Sequence, residues 1–214
     1  MKKSVCYIMG AGDAYEKEIS VNEDDCIICA DAGLKNANIF SRKPDFVVGD
    51  FDSYGSIPTN ENVVIYPPEK DYSDMLLAIK KGFEEGYDTF VILGALGGDR
   101  PEHTIANIQN VSYICNNGGE VFILENDNVY LGIKNKTVVF DENCQGYVSV
   151  FSLNDESRGV TEENLKYTLD DAVMTSSGSI GLSNEFIGKS AKISVKNGVL
   201  LIIWKGSVSD CAIE

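Results

Sequence analysis

The stretch Pro44-Asp45-Phe46-Val47-Val48-Gly49-Asp50-Phe51-Asp52-Ser53 joins a short apolar run to two carboxylates one residue apart. A run of that length, bounded by Pro44 on one side and by Gly49 and polar residues on the other, reads as a buried strand. Asp50 and Asp52 then emerge at its carboxyl end, the side of an open α/β sheet on which ligands bind. Paired acids in that place suit a divalent cation such as Mg²⁺, which takes carboxylate and phosphate oxygens together, so a nucleotide is the natural third partner. An isolated Asp-x-Asp is also an ordinary polar turn, and the rest of the chain has to decide between the two.

The same pattern recurs on both sides. Residues 4–9 and 25–30 read as strands that end in Gly10-Ala11-Gly12 and in Asp31-Ala32-Gly33, the latter leading into a helical segment over 34–40. A short strand at 62–66 closes at Pro67-Pro68, and Glu69-Lys70-Asp71-Tyr72-Ser73-Asp74 precedes a helix with Met75, Leu76, Ala78, Ile79 and Phe83 inward and Gly86 as its stop. Asp71 or Ser73 suits the cap of that helix. Residues 89–93 form another strand, followed by Gly94-Ala95-Leu96-Gly97-Gly98-Asp99-Arg100-Pro101-Glu102-His103. A helix over 104–115 follows, with Ile105, Ala106, Ile108, Val111 and Ile114 inward, and 120–124 is a sixth strand. A glycine-rich loop before a helix start exposes backbone N–H groups to phosphate oxygens, and Arg100 adds a fixed cation. His103, the only histidine, has no Cys or His partner for a zinc site.

Strands alternating with helices predict an α/β domain over 1–126, a mostly parallel sheet with helices on both faces. Beyond it the pattern becomes short alternating runs at 129–133, 137–140, 147–153, 165–169, 191–195 and 199–204, which predict an all-β sandwich or jelly roll over 127–214. Lys196-Asn197-Gly198 reads as a tight hairpin between the last two.

Composition narrows the function. With 214 residues and 43% hydrophobic content the chain supports a sizeable core. A formal net charge of −15 argues against nucleic acid and against an anionic membrane surface. The apolar run at 5–9 is too short for a signal-peptide core and none is of membrane-spanning length, so the expectation is cytoplasmic. The six cysteines mostly lie in apolar runs, where free thiols pack as small hydrophobes; Cys26-Ile27-Ile28-Cys29 sits in a strand and lacks a second pair for zinc.

Five ordered motifs together resemble the thiamin pyrophosphokinase family: Asp31-Ala32-Gly33; Gly49-Asp50-Phe51-Asp52-Ser53; Lys70-Asp71-Tyr72-Ser73-Asp74; the 97–107 segment; and Leu165-Lys166-Tyr167-Thr168-Leu169 with Ser183-Asn184-Glu185. The chain departs from the family pattern at Ala32, where a glycine is usual, at Asp99, which looks inserted, at Glu102, which stands for an Asp, and at Asn164, where a glycine is common. Arg100, His103 and Asn107 keep their mutual spacing. The resemblance implies an ATP- and Mg²⁺-binding α/β domain, a thiamin-binding β domain and a homodimer with shared active sites. The reaction it implies moves pyrophosphate from ATP to the thiamin hydroxyl. It further implies metal ligation by Asp31, Asp50, Asp52 and Asp74, and catalytic roles for Asp71, Asp74 and Arg100. ATP contacts would come from Asp50, Ser53, Lys70, Arg100, Glu102, His103 and Asn107, and thiamin contacts from Tyr167, Ser183, Asn184 and Trp204. Trp204 equally suits the core.

Three rivals stand beside it. A metal-dependent nucleotide-sugar glycosyltransferase explains Asp50 and Asp52 but gives Arg100 and the β domain no role. An aspartyl-phosphate phosphatase carries its Asp-x-Asp after its first strand, whereas here it follows the third. A non-catalytic thiamin- or nucleotide-binding module is separated from the enzyme by a turnover assay.

Overall fold

The computed structural model describes residues 4–13, 15–50, 62–67, 69 and 71–214, so Phe51, Asp52, Ser53 and Lys70 lie outside the described residues. The chain divides into two compact units, Met1–Asn110 with Gly118–Asn126, and Val111–Asn117 with Asp127–Glu214. Among the described residues no helix is long and apolar enough to cross a membrane.

In the first unit six strands form a parallel sheet: β1 (Cys6–Met9), β2 (Cys26–Ala30), β3 (Phe46–Gly49), β4 (Val63–Ile65), β5 (Thr89–Leu93) and β6 (Glu120–Glu125). Their order is β6-β5-β1-β2-β3-β4, and every pairing is parallel. Every residue of β2 and β5 is buried, as expected of central parallel strands whose sequences are almost wholly apolar. Helix α1 (Asp74–Glu84) lies on the face to which Cys6 and Phe90 point: a β-carbon on Gly82 would stand 2.6 Å from Phe90 and 2.9 Å from the Cys6 sulfur. Tyr7, one residue on, points the other way and meets the Phe40 ring at 5.9 Å. Phe40 ends the 3₁₀ helix Asp31–Ile39, so the two helical segments cover opposite faces.

Three local readings are corrected. The helical segment after β2 starts at Asp31 rather than 34 and is 3₁₀; its first turn has no side-chain cap, and Gly33, Asn36 and Asn38 are poor α-formers. In α1 the buried residues are Met75, Leu77, Ala78, Ile79 and Gly82, with Leu76 and Phe83 only half-buried. Helix α2 (Pro101–Asn116) begins three residues before 104, with Pro101 at its first position, where a missing N–H costs nothing. Its buried positions are Asn107, Asn110, Val111, Ile114 and Cys115, whereas Ile105 is 64% exposed.

The second unit is an antiparallel sandwich. Its strands are β7 (Asn128–Lys134), β8 (Thr137–Phe140), β9 (Tyr147–Ser152), β10 (Glu156–Glu163), β11 (Leu169–Thr175), β12 (Asn184–Glu185), β13 (Ala191–Ser194), β14 (Val199–Lys205) and β15 (Cys211–Ile213). One layer runs β12-β9-β14-β7 and the other β11-β10-β13-β8-β15. Phe140 of the second layer packs edge-on against Trp204 of the first at 5.1 Å, and against Phe186 at 5.2 Å.

Two expectations fail in this unit. Residues 165–168 are not a strand; Leu165 makes a single bridge to Phe186, and the strands lie on either side, as β10 and β11. Lys196-Asn197-Gly198 is not a hairpin turn, because β13 pairs with β10 and β8 while β14 pairs with β7 and β9. The turn instead carries the chain from one layer to the other. It is fastened to β10, where the Arg158 carbonyl accepts from Lys196 N at 3.2 Å and from Asn197 N at 3.1 Å.

Candidate functional site

The chain runs outward from β1 through β2, β3 and β4 and then returns to the other side of β1 as β5, which makes the carboxyl ends of β1 and β5 the point where the winding reverses. A crevice opens at such a point, and ligands of α/β sheets bind there. Here two loops are zipped backbone to backbone: Gly10 N donates to Leu93 O at 2.8 Å, Gly12 N to Gly94 O at 2.8 Å and Asp13 N to Leu96 O at 2.9 Å. A β-carbon on Gly12 would stand 2.3 Å from the Leu96 carbonyl oxygen, so only glycine permits the approach.

The far side of the β5 loop is fixed as firmly. Gly97 and Gly98 have φ of 69° and 77°. Gly97 N donates to Thr104 Oγ1 at 3.0 Å, and Gly98 N to Asp13 Oδ1 at 3.0 Å. Asn107, 6% exposed, donates from Nδ2 to the Ala95 carbonyl at 2.6 Å, which makes it a tie between α2 and the loop. Arg100, Glu102 and His103 stand exposed at the start of α2. Arg100 Nε lies 2.9 Å from Glu102 Oε1, and the Glu102 carboxyl is held below its usual range by its own backbone N–H and by Arg100.

The strand ends on the other side of β1 supply acids. Asp31 sits directly after β2 with φ 43°, a left-handed conformation that Asp tolerates better than most residues. It lies against β3: a β-carbon on Gly49 would be 3.0 Å from the Asp31 Cβ and 3.3 Å from its Oδ1. Asp31 is thus packed on the residue that precedes half-buried Asp50. Ser73 caps α1, its hydroxyl accepting from Leu76 N at 3.3 Å. Asp74 is the first residue of that helix, half-buried, and Asp71 is exposed before it. The start of α1 reaches over β1, since a β-carbon on Gly10 would stand 2.7 Å from Met75 Cε.

Asp31, Asp50, Asp74, Arg100 and the glycine loops therefore lie along the carboxyl edge of one sheet. Among the described residues no three acidic, histidine or cysteine side chains form a metal-holding group. Mg²⁺ needs only one or two carboxylates beside substrate phosphates, so the hard oxygen donors Asp31 and Asp50 fit it. Asp13 was not singled out by its sequence: its partner Gly98 lies 85 residues away.

In the second unit Tyr167 is 63% exposed and Ser183 is exposed with φ 57°. Asn184 is 3% exposed, and all four hydrogen-bonding positions of its amide are filled. Oδ1 accepts from Tyr167 N and Glu185 N, both at 2.9 Å, while Nδ2 donates to Tyr167 O at 2.6 Å and to Glu162 Oε2 at 2.7 Å. The amide is spent inside the protein and has nothing left for a ligand. Trp204 is 2% exposed, with Nε1 donating to Asp210 Oδ2 at 3.2 Å, a core position within this unit. Asn164 has φ 58°, the conformation that favours glycine and that asparagine also adopts.

Glu162, 1% exposed, is the residue sequence reasoning missed here. Burial pushes its carboxyl above the ordinary value of 4.5, with the Asn184 hydrogen bond opposing. The folded state therefore holds this proton more tightly than the unfolded chain. Its contribution is full below pH 4.5 and is lost as pH rises through the raised pKa. Glu162→Gln cannot ionise, so its stability relative to wild type, measured by chemical denaturation, should climb from pH 4.5 upward. A difference that stays flat with pH would show that Glu162 does not titrate differently in the two states.

A family model described as the thiamin pyrophosphokinase catalytic domain matches residues 18–123, and one described as the thiamin pyrophosphokinase vitamin B1 binding domain matches residues 136–200. Thiamine pyrophosphokinase of Bacillus subtilis (strain 168) is 24% identical over 140 residues, a match spanning 65% of this chain and 65% of that relative. The crystal structure of thiamine pyrophosphokinase from Bacillus subtilis has a TM-score of 0.79 at 20% identity, covering 96% of this chain and 100% of that one. That of thiamin pyrophosphokinase from Geobacillus thermodenitrificans has 0.75 at 24%, covering 96% and 99%. With both family models matched in order along a chain that has this fold, the protein belongs to the thiamin pyrophosphokinase family.

Proposed function

We propose that the protein transfers the pyrophosphoryl group of ATP to the hydroxyl of thiamin, giving thiamin diphosphate and AMP. The observation that supports the reading is the placement of the two zipped glycine loops, Asp31, Asp50 and the Arg100-bearing start of α2 along the carboxyl edge of one parallel sheet. The thiamin hydroxyl oxygen forms a bond to the β-phosphorus as the bond to the AMP oxygen breaks, and the hydroxyl proton passes to Asp71 or Asp74 at the head of α1. Backbone N–H groups at the start of α2 face the phosphates, and Arg100 exchanges its Glu102 partner for the charge that develops on the transferred group. Asp31, Asp50 and Asp52 would hold Mg²⁺, which supplies charge neutralisation on the polyphosphate. Glu102 and His103 stand at the ATP side, with Asn107 supporting the loop behind them, and Ser53 and Lys70 would add contacts to ATP. Tyr167 and Ser183 face thiamin, and Asn184 and Trp204 act behind that surface.

Incubation with ATP, Mg²⁺ and thiamin, followed for AMP and thiamin diphosphate, tests the reading. Formation of both products, abolished by a chelator, is expected; binding of both substrates without product would establish a binding module instead. Arg100→Ala should lower kcat by about a hundredfold or more with little change in the KM for thiamin. Loss confined to KM would remove Arg100 from the transfer step.

We further propose a homodimer. Tyr147, Tyr167, Ile180, Leu182 and Ile187 are each between 46% and 63% exposed and flank the short edge strand β12, an apolar surface suited to a second copy. Solution mass at twice 23.4 kDa is expected, and a monomer at micromolar concentration would withdraw the shared-site arrangement.

A further inference from the structure

Segment 164–167 joins no strand, yet its course is fixed. It runs antiparallel to 184–186 through the single Leu165–Phe186 bridge and the bond from Lys166 N to Glu185 O at 3.0 Å. Beyond that point the backbone of Tyr167 is held on both its N–H and its C=O by one side chain, the amide of Asn184. The orientation of that amide is in turn set by Glu162, which reaches from β10 in one layer to β12 in the other and takes the remaining Nδ2 hydrogen at 2.7 Å. The second carboxyl oxygen of Glu162 is buried and has no hydrogen-bond partner among the described residues. A core position at which a hydrocarbon side chain would cost less thus carries an acid, and what the acid gains is one directional bond to Asn184.

We propose that Glu162 is a positioning residue for thiamin: by holding the Asn184 amide it fixes the Tyr167 backbone and the Ser183 turn that form the thiamin-facing surface. This rests on the thiamin reading above. The chain of contacts is Glu162 Oε2, Asn184 Nδ2 and Oδ1, then Tyr167 N and O and Glu185 N. Without the acceptor at Glu162, one buried N–H of Asn184 is left unsatisfied, and the amide turns to recover a partner. The exposed Tyr167 ring and Ser183 hydroxyl then lose their fixed separation, while the carboxyl edge of the parallel sheet in the other unit is untouched.

Glu162→Met separates positioning from packing, because it fills similar space while removing both the buried carboxyl and the acceptor. Its melting temperature should stay close to that of the wild type, because removing a buried carboxyl that already lacks one partner offsets the cost of the unsatisfied Asn184 N–H. Its KM for thiamin should rise about tenfold or more, with KM for ATP and kcat within about twofold, and Glu162→Gln, which keeps an acceptor, should restore thiamin KM. Hydrogen exchange supplies a readout free of turnover: the Tyr167 and Glu185 amides should exchange about tenfold faster in Glu162→Met, with β14 amides unchanged. Glu162→Leu is the second apolar variant and is read in the same way. A wild-type thiamin KM in a folded Glu162→Met or Glu162→Leu protein overturns this inference alone, as does retained protection at Tyr167. Absence of turnover in the wild type overturns the thiamin reading and this inference together.

Discussion

Asp31→Asn and Asp50→Asn, made singly, should each lower kcat by about two to three orders of magnitude without lowering the melting temperature. The argument is strongest at Asp31. Its φ of 43° restricts the residues that fit, and asparagine is one of the few that adopts this region as readily as aspartate. The substitution therefore keeps the backbone, the volume and the approach to Gly49 and takes away only the negative charge. At Asp50 the same change follows a strand whose residues Val47 and Val48 are fully buried, so the fold has no reason to respond. If the two carboxylates hold Mg²⁺ against the polyphosphate, either substitution also raises the Mg²⁺ concentration needed for half-maximal rate. Steady-state rates over a Mg²⁺ series, with thermal unfolding as the control, decide the matter. A kcat within threefold of the wild type for Asp31→Asn would mean that this acid is a turn residue and no more.

The parallel sheet was legible because central parallel strands announce themselves: 26–30 and 90–93 are uninterrupted apolar runs, and burial on both faces requires that. The head of α1 was legible for a similarly local reason, since a serine cap acts within three residues. The β domain hid more. Strand β10 turns Ser157, Val160 and Glu162 inward, two polar residues in three, so alternation of hydrophobicity does not mark it. Asn197-Gly198 carries the local chemistry of a hairpin, but the flanking strands pair with partners distant in sequence, β13 with β10 and β8 and β14 with β7 and β9, and no local signal records that. Ile105 looked inward on spacing alone, whereas the buried stripe of α2 runs through Asn107 and Asn110, polar residues that serve the loop and each other. Asp13 and Glu162 escaped for one reason. Each acts on a partner in another segment, so neither has a local signature.

Gly33→Ala and Ala32→Gly should part company sharply, although each exchanges the same two residues in adjacent positions. A β-carbon on Gly33 would stand 2.1 Å from the Met9 carbonyl oxygen and 2.8 Å from its carbon, with Gly10 behind at 3.0 Å. These are backbone atoms at the end of β1, held in turn by the bond from Gly10 N to Leu93 O, and they cannot yield as a flexible side chain would. The 3₁₀ segment must lift away by about 1 Å, an overpacking that costs about 3 kcal/mol. Asp31, two residues earlier, moves with it, and a displacement of that size at a reacting site costs about a hundredfold in rate. Ala32 is half-buried and has no positive φ, so the glycine usual at this position in the family is not required by the backbone here. Ala32→Gly then costs about 0.5–1 kcal/mol of chain entropy and leaves Asp31 where it is. Thermal unfolding and kcat measured on both variants test the pair. A Gly33→Ala protein with wild-type stability would mean that the 3₁₀ segment is not seated on β1 as described, and the placement of Asp31 against Gly49 would lose its support.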